Sequence, residues 1–134
     1  MAVFVALASG VAVAPGKKLD SRKKGGRGER EFAALCRDEG YTAAKRGQQY
    51  QGGADSPDVK GLPGIHVEVK RVERLNIHEA MKQAARDSSG CAIPIVAHRR
   101  NRDNWLVTMS ATDWFSMYRE WESGRYLENR KEDK

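Results

Sequence analysis

The apolar positions change period several times along the chain, and each change marks an element. Phe32, Leu35 and Cys36 recur at i, i+3 and i+4, with Ala33 and Ala34 between them, which predicts a helix from about Gly28. Gly40 stands where that helix should stop. Tyr41 to Ala44 reads as a short strand, and Gly47, Gly52 and Gly53 make Lys45 to Ser56 a loop. Pro57 opens a strand at Asp58 to Lys60, and Gly61 to Gly64, with Pro63 inside, is a tight turn. Ile65 to Lys70 then alternates: Ile65, Val67 and Val69 form an apolar side, and His66, Glu68 and Lys70 a polar one. The two runs and their turn predict a hairpin.

Further along, Asn76 caps a helix with Glu79 in a capping-box position, and Ile77, Ala80, Met81, Ala84 and Ala85 form its apolar stripe as far as Ser88 to Gly90. Cys91 to Ala97 is a continuous apolar run, read as a strand that Pro94 places at an edge or a bulge. Arg99 to Asn104 is a basic turn and Trp105 to Met109 another strand. Ser110 caps a last helix, whose Trp114, Phe115, Tyr118 and Trp121 read as core more readily than as a base-stacking platform. Part of that row could form a dimer surface, and Gly124 ends the helix. This order predicts an α/β fold with a mixed central sheet flanked by helices. The domain spans 28–125, between an apolar and then basic flexible extension at 1–27 and a charged tail at 126–134.

Composition narrows the partners. The 134 residues argue for one domain, and 40% hydrophobic residues make it globular rather than disordered. Lys and Arg outnumber Asp and Glu by 24 to 18, which points to a polyanion, most commonly a phosphate backbone. The extension carries Lys23, Lys24 and Arg27 and could lie along phosphates. Cys36 and Cys91 have no partner at zinc-ligand spacing, so they read as buried thiols of a cytoplasmic protein. Met1 to Ala14 is apolar but too short to span a bilayer as a helix, and no basic run precedes it, so no membrane is expected.

One constellation carries chemistry. Phosphodiester hydrolysis needs carboxylates to hold a divalent cation and gains from a positive group near the attacking water. Glu68 and Lys70 are two apart on one strand and so share a face, and Asp58 lies across the turn. The carbonyl of Val69 could supply a further oxygen. Asp55 is an alternative to Asp58, though the hairpin favours Asp58. Taken singly, Asp58 would be a turn residue, and Glu68 and Lys70 solvated charges. His66 is expected to be half-exposed at the site's border, with His78 and His98 on the surface.

Pro57-Asp58, nine residues, then Glu68-Val69-Lys70 resembles the signature of the PD-(D/E)XK nucleases. From Gly28 to about Met109 the chain looks most like the archaeal-type Holliday junction resolvases and their phage relatives, through Glu29 in Glu29-Arg30-Glu31-Phe32, Arg46, Asp58, and Glu68 with Lys70. The loop Gln48 to Ser56 is longer and Gln-rich, and the segment after Lys70 is not a close match. The resemblance implies a restriction-endonuclease-like core and a homodimer that cuts four-way DNA junctions with Mg²⁺, which Mn²⁺ can replace. It implies direct metal ligation by Asp58 and Glu68, and by Glu29 through a water. It makes Lys70 the residue that orients or deprotonates the water, and Gln83 a positioning residue. Phosphate contacts fall to Arg30, Lys45, Arg46 and Arg71 besides the basic extension. A nuclease for duplex, flap or restriction-type sites is one alternative, and a non-catalytic DNA-binding module another.

Overall fold

The computed structural model describes residues 21–47, 56–90 and 92–132. Its elements are α1 (Ser21–Asp38), β1 (Lys45–Arg46), β2 (Val59–Lys60), β3 (Ile65–Arg71), α2 (Ile77–Asp87), β4 (Ile93–Arg99), β5 (Leu106–Met109) and α3 (Ala111–Glu132). The strands form one sheet in the order β1-β2-β3-β4-β5. Neighbours are antiparallel except β3 and β4, which run parallel from Ile65 opposite Ile93 to Arg71 opposite Arg99. A parallel pair needs a long crossover, and α2 is that crossover. The α/β class and the mixed sheet agree with the pattern of the chain.

Two apolar layers follow from the alternation of β3 and β4. Val67, Val69, Ile95 and Ala97 pack with Phe32, Ala33 and Cys36 of α1, and the Phe32 and Trp105 rings lie 5.2 Å apart. On the other face Val96 packs with Ala80 and Ala84 of α2. The helix ends are capped as their residues demand. Tyr41 N–H donates to Cys36 C=O and Gly40 N–H to Arg37 C=O, a Schellman closure that needs the positive φ of Gly40, 103°. Asn76 accepts from Glu79 N–H, and Ser110 accepts from Asp113 N–H.

Several expectations are corrected. Helix α1 starts at Ser21, not Gly28, so Lys23, Lys24 and Arg27 belong to a helix rather than a flexible arm. Lys and Arg are good helix formers. Gly26 and Gly28, which look like breakers, are where α1 lies tight on its neighbours. A Cβ on Gly28 would stand 2.8 Å from Arg71 Cβ, and one on Gly26 3.0 Å from the Arg46 guanidinium. Tyr41 to Ala43 is turn, and the strand falls on Lys45–Arg46 instead. Pro94 lies within β4, which has neighbours on both sides. Ile93 N–H donates to Gly64 C=O of the β3 side, so the Pro94 nitrogen faces β5, whose pairing ends at Ile95 opposite Met109. Its missing N–H therefore costs no ladder bond.

Helix α3 passes through Gly124 to Glu132, and none of its residues is buried. The Trp114, Phe115, Tyr118 and Trp121 row, expected in the core, is exposed; Trp114 and Tyr118 stack at 5.2 Å. Among the described residues no helix is long and apolar enough to cross a membrane. The stretch Met1 to Ala14, the loop glycines Gly52 and Gly53, Asp55 and Cys91 lie outside the described residues.

Gly47 holds β1 against the chain that carries Asp58. Its N–H donates to Asp58 C=O at 2.8 Å, and a Cβ there would stand 2.0 Å from the Pro57 carbonyl oxygen. Backbone cannot give way by that much, so Gly47→Ala is expected to cost about 2–4 kcal/mol. Urea unfolding of the two proteins checks it; a loss under about 0.5 kcal/mol would show that the close approach is not needed.

Candidate active site

Alternation along β3 decides where the polar side chains go. Val67 and Val69 enter the layer under α1, so His66, Glu68 and Lys70 turn towards α2. That side is not open to solvent. Val96 stands opposite Glu68 on β4, and Ala80 and Ala84 allow α2 to close over the strand. His66 and Glu68 are in consequence only 4% and 5% exposed. The expected half-exposed His66 is corrected by this roof, and Glu68 is not a solvated surface charge.

Asp58 sits just before β2 and is also buried. Its N–H donates to Val67 C=O at 2.8 Å, and Val69 N–H donates to its Oδ2 at 2.8 Å. The side chain thus extends the β2–β3 ladder by one bond and fixes the carboxylate against the backbone of β3. The amide and carbonyl of one strand residue face the same edge. The Val69 carbonyl is therefore on the Asp58 side of the strand.

Glu29 comes from α1, is buried, and accepts a hydrogen bond from Arg46 Nε of β1. Burial raises its pKa and so does the charge of Asp58, while the Arg46 hydrogen bond opposes them. Glu68 is pushed up to about 7, first by burial, then by Asp58; Lys70 opposes, and Asp87 adds to the rise. Lys70 Nζ lies 3.5 Å from Glu68 Oε1 and donates to Gln83 Oε1 at 3.2 Å. Four acids, Glu29, Asp58, Glu68 and Asp87, are linked by repulsion, which Arg46 and Arg30 oppose at Glu29 and Lys70 at Glu68.

The five residues anticipated for catalysis are thus brought into one chain of contacts and charges. Asp87 was not anticipated. Its signal is its place four residues after Gln83, on the same face of α2. Glu31 was not anticipated either. It gathers Arg71 at 2.9 Å, Arg99 at 3.3 Å and Arg27 at 3.3 Å. Arg71 also donates to Asn101 at 2.8 Å, so its guanidinium is turned into the fold rather than held out for phosphate. Arg27, Arg30 and Lys45 are exposed on α1 and β1. Lys23 and Lys24 lie in the first turns of α1. His78 is exposed; His98 is half-buried against Thr108 at 2.9 Å, and burial lowers its pKa. A groove of about 530 Å³ opens between Glu73, His98, Arg100 and Leu106 and is lined by none of Glu29, Asp58, Glu68 and Asp87; Arg100 is paired with Asp103 at 2.8 Å.

No protein-family model, curated protein or solved structure matches the chain. Buried Glu29, Asp58 and Glu68, with a strand carbonyl on the Asp58 side, offer hard oxygen donors. Such a set fits a hard divalent cation.

The raised pKa of Glu68 has a sign. In the folded chain it moves from 4.5 to about 7. The stability contributed by neutral Glu68 is fully present below 4.5 and is lost as pH rises through 7. The metal-free protein is therefore expected to lose on the order of 1–3 kcal/mol across that window, and Glu68→Gln to lose much less. Thermal unfolding at several pH values decides it; parallel curves for the two proteins would show that Glu68 ionises without penalty.

Proposed function

We propose that the chain is a Mg²⁺-dependent, structure-selective DNA endonuclease of the PD-(D/E)XK type with a restriction-endonuclease-like core, acting on four-way DNA junctions. The observation that carries this reading is the joint burial of Asp58 and Glu68 with the Lys70 ammonium 3.5 Å from Glu68. Here Glu68 keeps a raised pKa although Lys70 is beside it. Asp58, Glu68 and the Val69 carbonyl would hold the ion, with Mn²⁺ able to replace Mg²⁺. The ion would polarise the phosphodiester and acidify a bound water.

The chain's own groups supply the rest. Asp58 is fixed by Val69 N–H, so it does not have to be ordered on binding. Lys70, steadied by Gln83, offers its ammonium to the attacking water and to the charge that grows on phosphate. Glu29, which accepts from Arg46, would reach the ion through a bound water. Arg27, Arg30 and Lys45 contact the DNA backbone, which sets affinity and register but reads no sequence. The exposed aromatic row of α3 supports the homodimer of this reading. A face of that kind exceeds what single surface residues explain, and an identical face on a second copy covers it symmetrically.

Two experiments test the reading. Labelled four-way junction and linear duplex of the same sequence are incubated with the protein in Mg²⁺, Mn²⁺ or EDTA. Junction nicking that needs Mg²⁺ is expected, falling at least about a hundredfold in Asp58→Asn and in Lys70→Ala with DNA binding retained. Junctions bound but never cut with either metal would leave a non-catalytic DNA-binding module. Equal cutting of duplex would leave a duplex or restriction-type nuclease. Sedimentation should find a dimer that Trp114→Ser with Trp121→Ser converts to a folded monomer; a wild-type monomer at every concentration would remove the dimer.

A further inference from the structure

A second donor set lies on the α2 side of β3. His66, Glu68 and Asp87 each offer a ligand atom, and these atoms lie within 4.8 Å of one another. They come from different elements: two from β3, brought to one side by alternation, and one from the last residue of α2. The chain fixes Asp87 there, because Ser88 closes the helix with its N–H on Ala84 C=O and its hydroxyl on Ala85 C=O.

Three features of this set call for a cation. His66 is almost wholly buried, and its Nε2 has no hydrogen-bond partner among the described residues. A buried polar atom left so is costly, because its desolvation is not repaid. Asp87 stands at a helix C-terminus, where the macrodipole is negative and favours cations. Glu68 and Asp87 repel each other, and Lys70 lies towards Gln83, on the other side of Glu68 along β3. A cation between His66, Glu68 and Asp87 would offset the repulsion of the two acids, sit at the negative end of α2 and give the His66 ring a partner.

We propose that His66, Glu68 and Asp87 form a site for a divalent transition-metal ion of the Zn²⁺ class, distinct from the Asp58 site and sharing Glu68 with it. The imidazole nitrogen sets the class: it suits Zn²⁺ and its neighbours, whereas Mg²⁺ prefers oxygen and retains its waters. Three protein ligands leave a position open, as in zinc sites that also take a water or a substrate group. The site needs no DNA and no catalysis, so it stands or falls apart from the nuclease reading.

The test follows the ring nitrogens of His66 by NMR in the full chain, labelled at histidine and titrated with Zn²⁺, with His66→Gln for assignment. A saturable shift of the His66 ring is expected, with Mg²⁺ at least a hundredfold weaker at the same signal. Asp58→Asn should leave the Zn²⁺ response in place, and Asp87→Asn should weaken it tenfold or more. If His66→Gln does not fold, Asp87→Asn, at a half-buried position, assigns and tests the site instead. A His66 ring unmoved at saturating Zn²⁺ overturns the proposal. So does an affinity unchanged by Asp87→Asn, or a response abolished by Asp58→Asn, which would place the ion in the other donor set.

Discussion

Shifting β3 by one residue against its neighbours would carry Glu68 and Lys70 into the layer of Phe32, Cys36 and Trp105. A side-chain period of two leaves no intermediate position. The register of β3 is thus both a folding constraint and the device that sorts charge from apolar surface. It is held on one side by parallel pairing with β4, where Glu68 meets Val96, and on the other by Asp58, which brackets Val67 and Val69 with two 2.8 Å hydrogen bonds. The residue that pins the strand is also one of the acids. Losing Asp58 removes a ladder contact and a carboxylate together, whereas Asp58→Asn keeps an oxygen that can accept from Val69 N–H.

Electrostatics follows from that register. A carboxylate on a strand roofed by Ala80, Ala84 and Val96 loses hydration, and Asp58 and Asp87 flank it with like charge. Lys70 offsets part of this, but the Glu68 pKa remains near 7, so the acid stands between its charged and neutral forms at ordinary pH. Packing alone would favour an apolar residue there, since buried ion pairs seldom outperform hydrophobic replacements. Holding Glu68 among like charges in a buried layer gives up stability, which protonation of Glu68 recovers at low pH.

What was legible in the chain was what short range decides. Alternation placed Glu68 and Lys70 on one face, and the turn between Asp58 and Ile65 brought the first acid beside them. Asn76, Ser110 and Gly40 marked helix ends because cap chemistry is local. The α2 roof over that face was not legible, since alternation tells sides apart but not which side is covered. His66 was therefore placed at a half-open border. Asp87 and Glu31 meet their partners only through tertiary return of the chain. Glycine misled at Gly26 and Gly28, where it serves close packing, and at Gly124, which α3 simply passes through. The α3 aromatic row misled for a different reason. Helical spacing reports that a face is apolar, not whether its cover comes from the same chain.

Glu68 therefore stands between two donor sets of unlike chemistry. On the β2 side are the Asp58 oxygens and the Val69 carbonyl, all hard. On the α2 side are the Asp87 carboxylate and an imidazole, borderline in softness. A single glutamate cannot give its full charge to both sides. Filling one set lowers the charge available to the other, unless the two oxygens of Glu68 divide between them. The two sets are then coupled through one carboxylate. Whether an ion on the α2 side assists or weakens one on the β2 side depends on that division. Lys70 takes part in the same balance, because its ammonium competes for the Glu68 oxygen that lies 3.5 Å away. In the proposed nuclease, a cation that drew this oxygen off would leave Lys70 with Gln83 and free its charge for a phosphate.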